Sequence, residues 1–148
     1  MRKSVVLLSL ALLCGPVLAD EGKARKCVFP DSRERAPAWV CNAHADGWKL
    51  TAVGSAAHSA AGTAFMEQMA AADARSRLVR DVRRAVRDKL RIADKDDDAV
   101  TKDTLRGVKV LQKVYDANGT LYVLIGMNEA SAKKLADSIA AEYRARQQ

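Results

Sequence analysis

The chain has 148 residues and a formal net charge of +7, from 25 Lys and Arg against 18 Asp and Glu. That length suits one domain rather than two, and the positive excess favours anionic surroundings without naming a partner. Charged residues, 29% of the total, interrupt every apolar stretch beyond the N-terminal leader, which excludes a later membrane-spanning helix.

Residues 1–19 have the order of a secretory signal peptide: Arg2 and Lys3, a greasy run over residues 5–13, a break at Gly15-Pro16, then Val17 and Ala19. The run is short of the roughly 20 residues that span a bilayer. Cleavage after Ala19 is expected, with export to the periplasm or outer membrane. Cys14 is a candidate lipidation site, but the bulky Leu13 before it fits lipoprotein processing poorly. The expectation is that Cys14 leaves with the leader. An acylated Cys14 would instead hold the chain on a membrane by about 0.8 kcal/mol per buried methylene.

Residues 20–37 are charged and contain Pro30 and Pro37, so they read as an irregular entry segment to a single domain over residues 38–148. Ala38-Trp39-Val40-Cys41 is short, apolar and suited to pack on that domain. Cys27 and Cys41 remain after leader removal, and in an oxidising compartment such a pair favours a disulfide. Chain-entropy models put the closure of so short a loop at about 3 kcal/mol. A zinc reading would recruit His44 to the two cysteines, but it lacks a fourth ligand and a close cysteine pair.

Trp48, Leu50 and Ala52 alternate with Lys49, Thr51 and Val53, which predicts a first strand over residues 48–53, ended by Gly54-Ser55. Gly54-Ser55-Ala56-Ala57 also resembles a strand-to-helix turn that would offer backbone amides to an anion. Residues 63–91 hold no proline or glycine and are rich in strong helix formers. Phe65, Met69, Ala72, Val79, Val82, Val86 and Leu90 recur in steps of three and four, predicting one buried stripe on a long helix. Thr63 or Ser59 is the expected cap.

The opposite side of that helix is basic. Arg77, Arg80, Arg84, Arg87 and Arg91 fall within about 80° of one another on a helical wheel. Asp81 and Asp88 stand at the edge of the row, spaced to pair with some of these arginines.

Residues 94–98 are acidic and turn-like, without the glycine and terminal glutamate of a calcium loop. Residues 105–115 and 120–127 are rich in Val, Leu, Ile and Tyr. Asp116-Ala117-Asn118-Gly119 between them is a strong hairpin signal. Asn118-Gly119-Thr120 also matches a glycosylation sequon formally, in a turn that gives it little weight. Asn128 is placed to cap a last helix whose apolar face is Ala132, Leu135, Ala136, Ile139 and Tyr143. The expected fold class is α+β: a small antiparallel sheet of about three strands packed with one long helix and a C-terminal helix.

Chemistry leaves no trace in the pattern. His44 and His58 stand in or beside loops, and no nucleophile elbow, phosphate loop or metalloprotease motif occurs. No catalytic residue, cofactor or metal is expected. The same segments carry a likeness. Pro37-Ala38-Trp39-Val40, Ala52-Val53-Gly54-Ser55, Ala70-Ala71-Ala72-Asp73-Ala74-Arg75-Ser76-Arg77-Leu78 and Gly119-Thr120-Leu121-Tyr122-Val123-Leu124-Ile125 resemble the LPP-twenty outer-membrane lipoprotein family in order and spacing. The resemblance runs over residues 37–127. It implies a compact α+β envelope protein, often lipid-anchored, with outer-membrane or flagellar associations and no known catalysis. Leu13 before Cys14 departs from the family's processing site.

The leading expectation is therefore a periplasmic or outer-membrane-associated binding or scaffold protein. Its arginine face would meet phosphates of phospholipid or lipopolysaccharide, or an envelope protein, with membrane contact peripheral or by a lipid anchor at most. The plainer reading of that face is a solvated surface. Nucleic-acid binding is opposed by export and by the lack of aromatic residues among the arginines. A hydrolase would need a pocket joining His58 to a carboxylate. The oligomeric state is left open.

Overall fold

The computed structural model describes residues 26–92, 105 and 107–148. The leader, Cys14 and the acidic stretch 94–98 lie outside them. The elements are α1 (Ala38–Asn42), β1 (Leu50–Ala56), α2 (Thr63–Leu90), β2 (Val108–Tyr115), β3 (Leu121–Met127) and α3 (Glu129–Arg146). The sheet has the order β1-β3-β2 and is antiparallel throughout, so the expected α+β class holds.

Every residue of β3 is buried. Successive side chains of a strand point to opposite faces, and both faces are covered here. Leu121, Val123, Ile125 and Met127 join a core with Leu78 and Val82 of α2 and with Leu135 and Ile139 of α3. Tyr122 and Leu124 join a second core with Phe29, Ala36 and Trp39. Each large aliphatic side chain so buried contributes roughly 1.5–3 kcal/mol.

The second core is a cover built N-terminal to β1. Val28 and Arg35 form an antiparallel bridge, Phe29 N–H donates to Glu34 O at 2.9 Å, and Ala36 N–H donates to Cys27 O at 3.0 Å. The short α1 follows and turns Trp39 inward. The Phe29 and Tyr122 rings lie 5.1 Å apart between centroids. Cys27 and Cys41 are joined as a disulfide with their Cα atoms 5.8 Å apart, closing the cover on itself. Cys41 is thereby withdrawn from any zinc site.

β1 runs three residues past its expected end. Gly54-Ser55 does not stop it, because Gly54 is the point where α2 crosses the strand. A Cβ built on Gly54 would stand 2.2 Å from Ala74 N and 2.3 Å from Ala70 O. Glycine in a strand often marks such a close backbone approach. The same crossing corrects the α2 stripe. Its buried residues are Met66, Ala70, Ala71, Ala74, Leu78, Val79, Val82 and Arg83. Only alanines fit over Gly54, so Phe65, Met69 and Ala72 are rotated outward, and Phe65 and Met69 are 45% and 49% exposed.

The helix ends also differ from expectation. Gly62 stands at the N-cap of α2 and no side chain caps it, while Ser59 Oγ accepts from Ala61 N–H instead. Arg91 closes the C-terminus in the left-handed conformation. α3 begins as expected, with Asn128 Oδ1 accepting from Ser131 N–H at 2.9 Å, and it buries Ala132, Leu135, Ile139 and Tyr143. In the hairpin, Asp116 Oδ1 accepts from the N–H groups of Asn118 and Thr120, and Gly119 supplies the positive φ. β2 starts at Val108, later than the apolar run suggested, and carries an irregularity between Val110 and Gln112.

Gly54 is thus the tightest constraint in the packing. Gly54→Ala is expected to lower the unfolding free energy by about 3 kcal/mol, because the methyl group meets helix backbone and not a movable side chain. Urea denaturation of the two proteins measures the difference.

Candidate binding surfaces

The arginine row of α2 lies opposite its buried stripe, as its spacing requires, with Arg77 at the edge beside β1. Arg77, Arg80, Arg84 and Arg91 are exposed and Arg87 is half-buried. They are not equivalent. Arg77 Nε donates to both carboxylate oxygens of Asp73, at 3.1 and 3.2 Å. Asp73 Oδ2 also accepts from Ser55 N–H at 3.0 Å. The backbone amide that the Gly54-Ser55 turn was expected to offer an anion is therefore taken by the chain's own carboxylate. Arg84 lies 3.8 Å from Asp81, both well exposed, a contact worth a few tenths of a kcal/mol at about that spacing. Arg80 and Arg91 have no ion pair among the described residues. Asp88 gives its backbone carbonyl to Arg91 N–H.

Sequence reasoning missed Arg83. It is 2% exposed, and its Nη2 donates to Glu142 Oε2 on α3 at 3.1 Å. Glu142 Oε1 accepts from Arg146 as well. A buried pair adds little net stability, but removing one partner costs about 3–5 kcal/mol. The available signal was position: Arg83 follows Val79 by four residues and precedes Val86 by three, inside an apolar row.

An open groove of about 460 Å³ lies where the start of β1, the last turns of α2 and the first turns of α3 meet. Its floor and walls are apolar, with Leu50, Leu78, Val82, Ala85, Val86 and Ala132 among them. Lys49, Lys89 and Lys133 stand on its rim with Glu129 and Asp81. Nothing in the linear pattern announced it, because its lining comes from three separated segments.

Neither histidine reaches such a site. His44 Nε2 lies 3.0 Å from Asp46 Oδ1 in an exposed loop. His58 packs its ring over the hairpin turn, where a Cβ on Gly119 would approach it to 3.2 Å. Neither lines any of the four principal cavities. Among the described residues no cluster of three His, Cys, Asp or Glu side chains is placed to hold a metal, and no helix is long and apolar enough to cross a membrane.

Among the described residues Tyr122 is the one strongly perturbed acid. Burial, then the charges of Asp31 and Asp116 and a hydrogen bond to Asp31, push its phenol up to about 12. The hydroxyl donates to Asp31 Oδ2 at 3.4 Å, so it stays protonated at neutral pH and does not act as a base there.

Neither a family model nor a curated protein matches the chain. Among solved structures, the secreted protein HP1454 from the human pathogen Helicobacter pylori is similar over 67% of this chain and 38% of its own. The sequence identity is 24% and the TM-score 0.39. The chain thus spans well under half the length of that protein.

The raised Tyr122 value has a signed consequence. Because the folded group holds its proton more tightly than the unfolded one, its stabilising contribution is complete below about pH 10 and falls away toward about pH 12. Unfolding free energy should decline across that window in the native chain, and the decline should be smaller in Tyr122→Phe. Denaturant titrations at stepped pH measure both.

Proposed function

We propose that the protein is an exported component of the cell envelope, periplasmic or at the outer membrane, that acts by binding and not by catalysis. Its ligand-facing element is α2, which docks on anionic envelope phosphates. The observation that carries this reading is the exposed set Arg80, Arg84 and Arg91, none held by a strong ion pair among the described residues. Guanidinium forks match phosphate oxygens in pairs.

Export is supported by the leader over residues 1–19 and by the Cys27–Cys41 disulfide, a bond favoured outside the reducing cytoplasm. The LPP-twenty likeness belongs to the same reading, as an envelope protein with a compact α+β domain. Lipidation at Cys14 would add an anchor to a surface contact that α2 already makes.

Vesicle pelleting tests the proposal. Binding to vesicles containing anionic lipid should exceed binding to neutral ones and weaken as salt rises. With about 1 kcal/mol per basic residue near a charged surface, replacing Arg80, Arg84 and Arg91 together by Ser should lower the affinity roughly a hundredfold. Replacement by Lys should keep only part of it. Equal binding to neutral vesicles, or tighter binding to RNA than to anionic lipid, would remove the reading.

A further inference from the structure

We propose that the groove between α2, α3 and the start of β1 binds a free fatty acid, an anionic amphiphile with one alkyl chain. The volume of about 460 Å³ lies within the range of small-molecule pockets. That space suits one alkyl chain. An apolar guest laid in the groove removes apolar wall from water, which is favourable in proportion to the area covered.

The polar end of the ligand is fixed by charge. Lys49 leads into β1, and its N–H bonds Met127 O just ahead of α3. Lys89 lies in the last turn of α2 and Lys133 near the start of α3, so three elements bring their lysines to one end of the groove. Lys133 is held by Asp137 at 2.6 Å. Lys49 and Lys89 have no ion pair among the described residues. Among the described residues Glu129 and Asp137 stand against these three lysines, and Asp137 is taken by Lys133, so Lys49 and Lys89 face Glu129. Asp81 stands about two turns up α2 from Lys89, beside Leu78 and close to Arg84. A carboxylate at the lysine end places its alkyl chain along Val82, Ala85, Val86 and Ala132 toward Leu78. This site is separate from the arginine face, so either can fail alone.

Isothermal titration of the full chain with octanoate, decanoate and dodecanoate, each below its micelle-forming concentration, tests the site. One fatty acid should bind per chain, about fourfold more tightly for each added methylene. Lys89→Glu should weaken binding roughly tenfold, and Ala85→Trp, which fills the groove from its exposed wall, should abolish it. Replacing Arg80, Arg84 and Arg91 by Ser should leave it unchanged. Lys89→Glu is a surface change and keeps the test decisive if Ala85→Trp does not fold. Absence of binding, affinity independent of chain length, or equal affinity for dodecyltrimethylammonium would overturn the proposal. So would a dimer that Ala85→Trp dissociates, since the occupant would then be a second copy of the chain.

Discussion

Seven consecutive buried residues in β3, Leu121–Met127, require a covering layer on each side of the sheet. A half-covered sheet would leave Tyr122 and Leu124 in water. The long helix supplies one layer because Gly54 lets its backbone descend onto β1, with the small residues Ala70 and Ala74 at the crossing. The other layer has little regular structure of its own. It is a bridge, a five-residue helix and a disulfide, wrapped so that Phe29 and Trp39 meet the outer face of β3.

This dependence connects fold to compartment. A cover of some twenty residues, made mostly of turns, has few backbone hydrogen bonds to hold it and loses much conformational entropy when ordered. Linking Cys27 to Cys41 removes part of that loss from the unfolded chain. The bond persists where thiols are oxidised, so the packing of Tyr122 and the proposal of export point the same way. The apolar groove is lined by β1, α2 and α3 without any residue of the cover, whereas Arg77 of the arginine row lines a cavity with Pro30, Asp31 and Val40 of the cover.

Much of the architecture was legible in the sequence because it rests on local rules. Asn128 caps α3 as its position suggested, the Asn118-Gly119 turn joins two strands, and the α3 face from Ala132 to Tyr143 is the buried one. Errors arose where tertiary packing overrode the pattern. Phe65 and Met69 are more hydrophobic than Ala70 and Ala74, and a periodicity argument prefers them. The strand beneath admits only the alanines. Gly54 reads as a terminator by composition, yet it is a contact point. Arg83 was missed for a related reason: its place in an apolar row was visible, but its partner Glu142 is fifty-nine residues away. The arginine row was found as a set, but its division into the tethered Arg77 and the freer Arg80 and Arg91 needed the position of Asp73. The groove, assembled from β1, α2 and α3, had no linear signature at all.

The central claim is that a disulfide-stapled cover completes the fold outside the cytoplasm. Intact mass of the protein recovered from the envelope fraction of cells expressing the whole chain tests it most directly. The account predicts a chain beginning at Asp20, lighter than its reduced form by the two hydrogens of one disulfide. Recovery from the cytosol of the uncut chain with both Cys27 and Cys41 reduced, folded and with β3 still protected from hydrogen exchange, would contradict it.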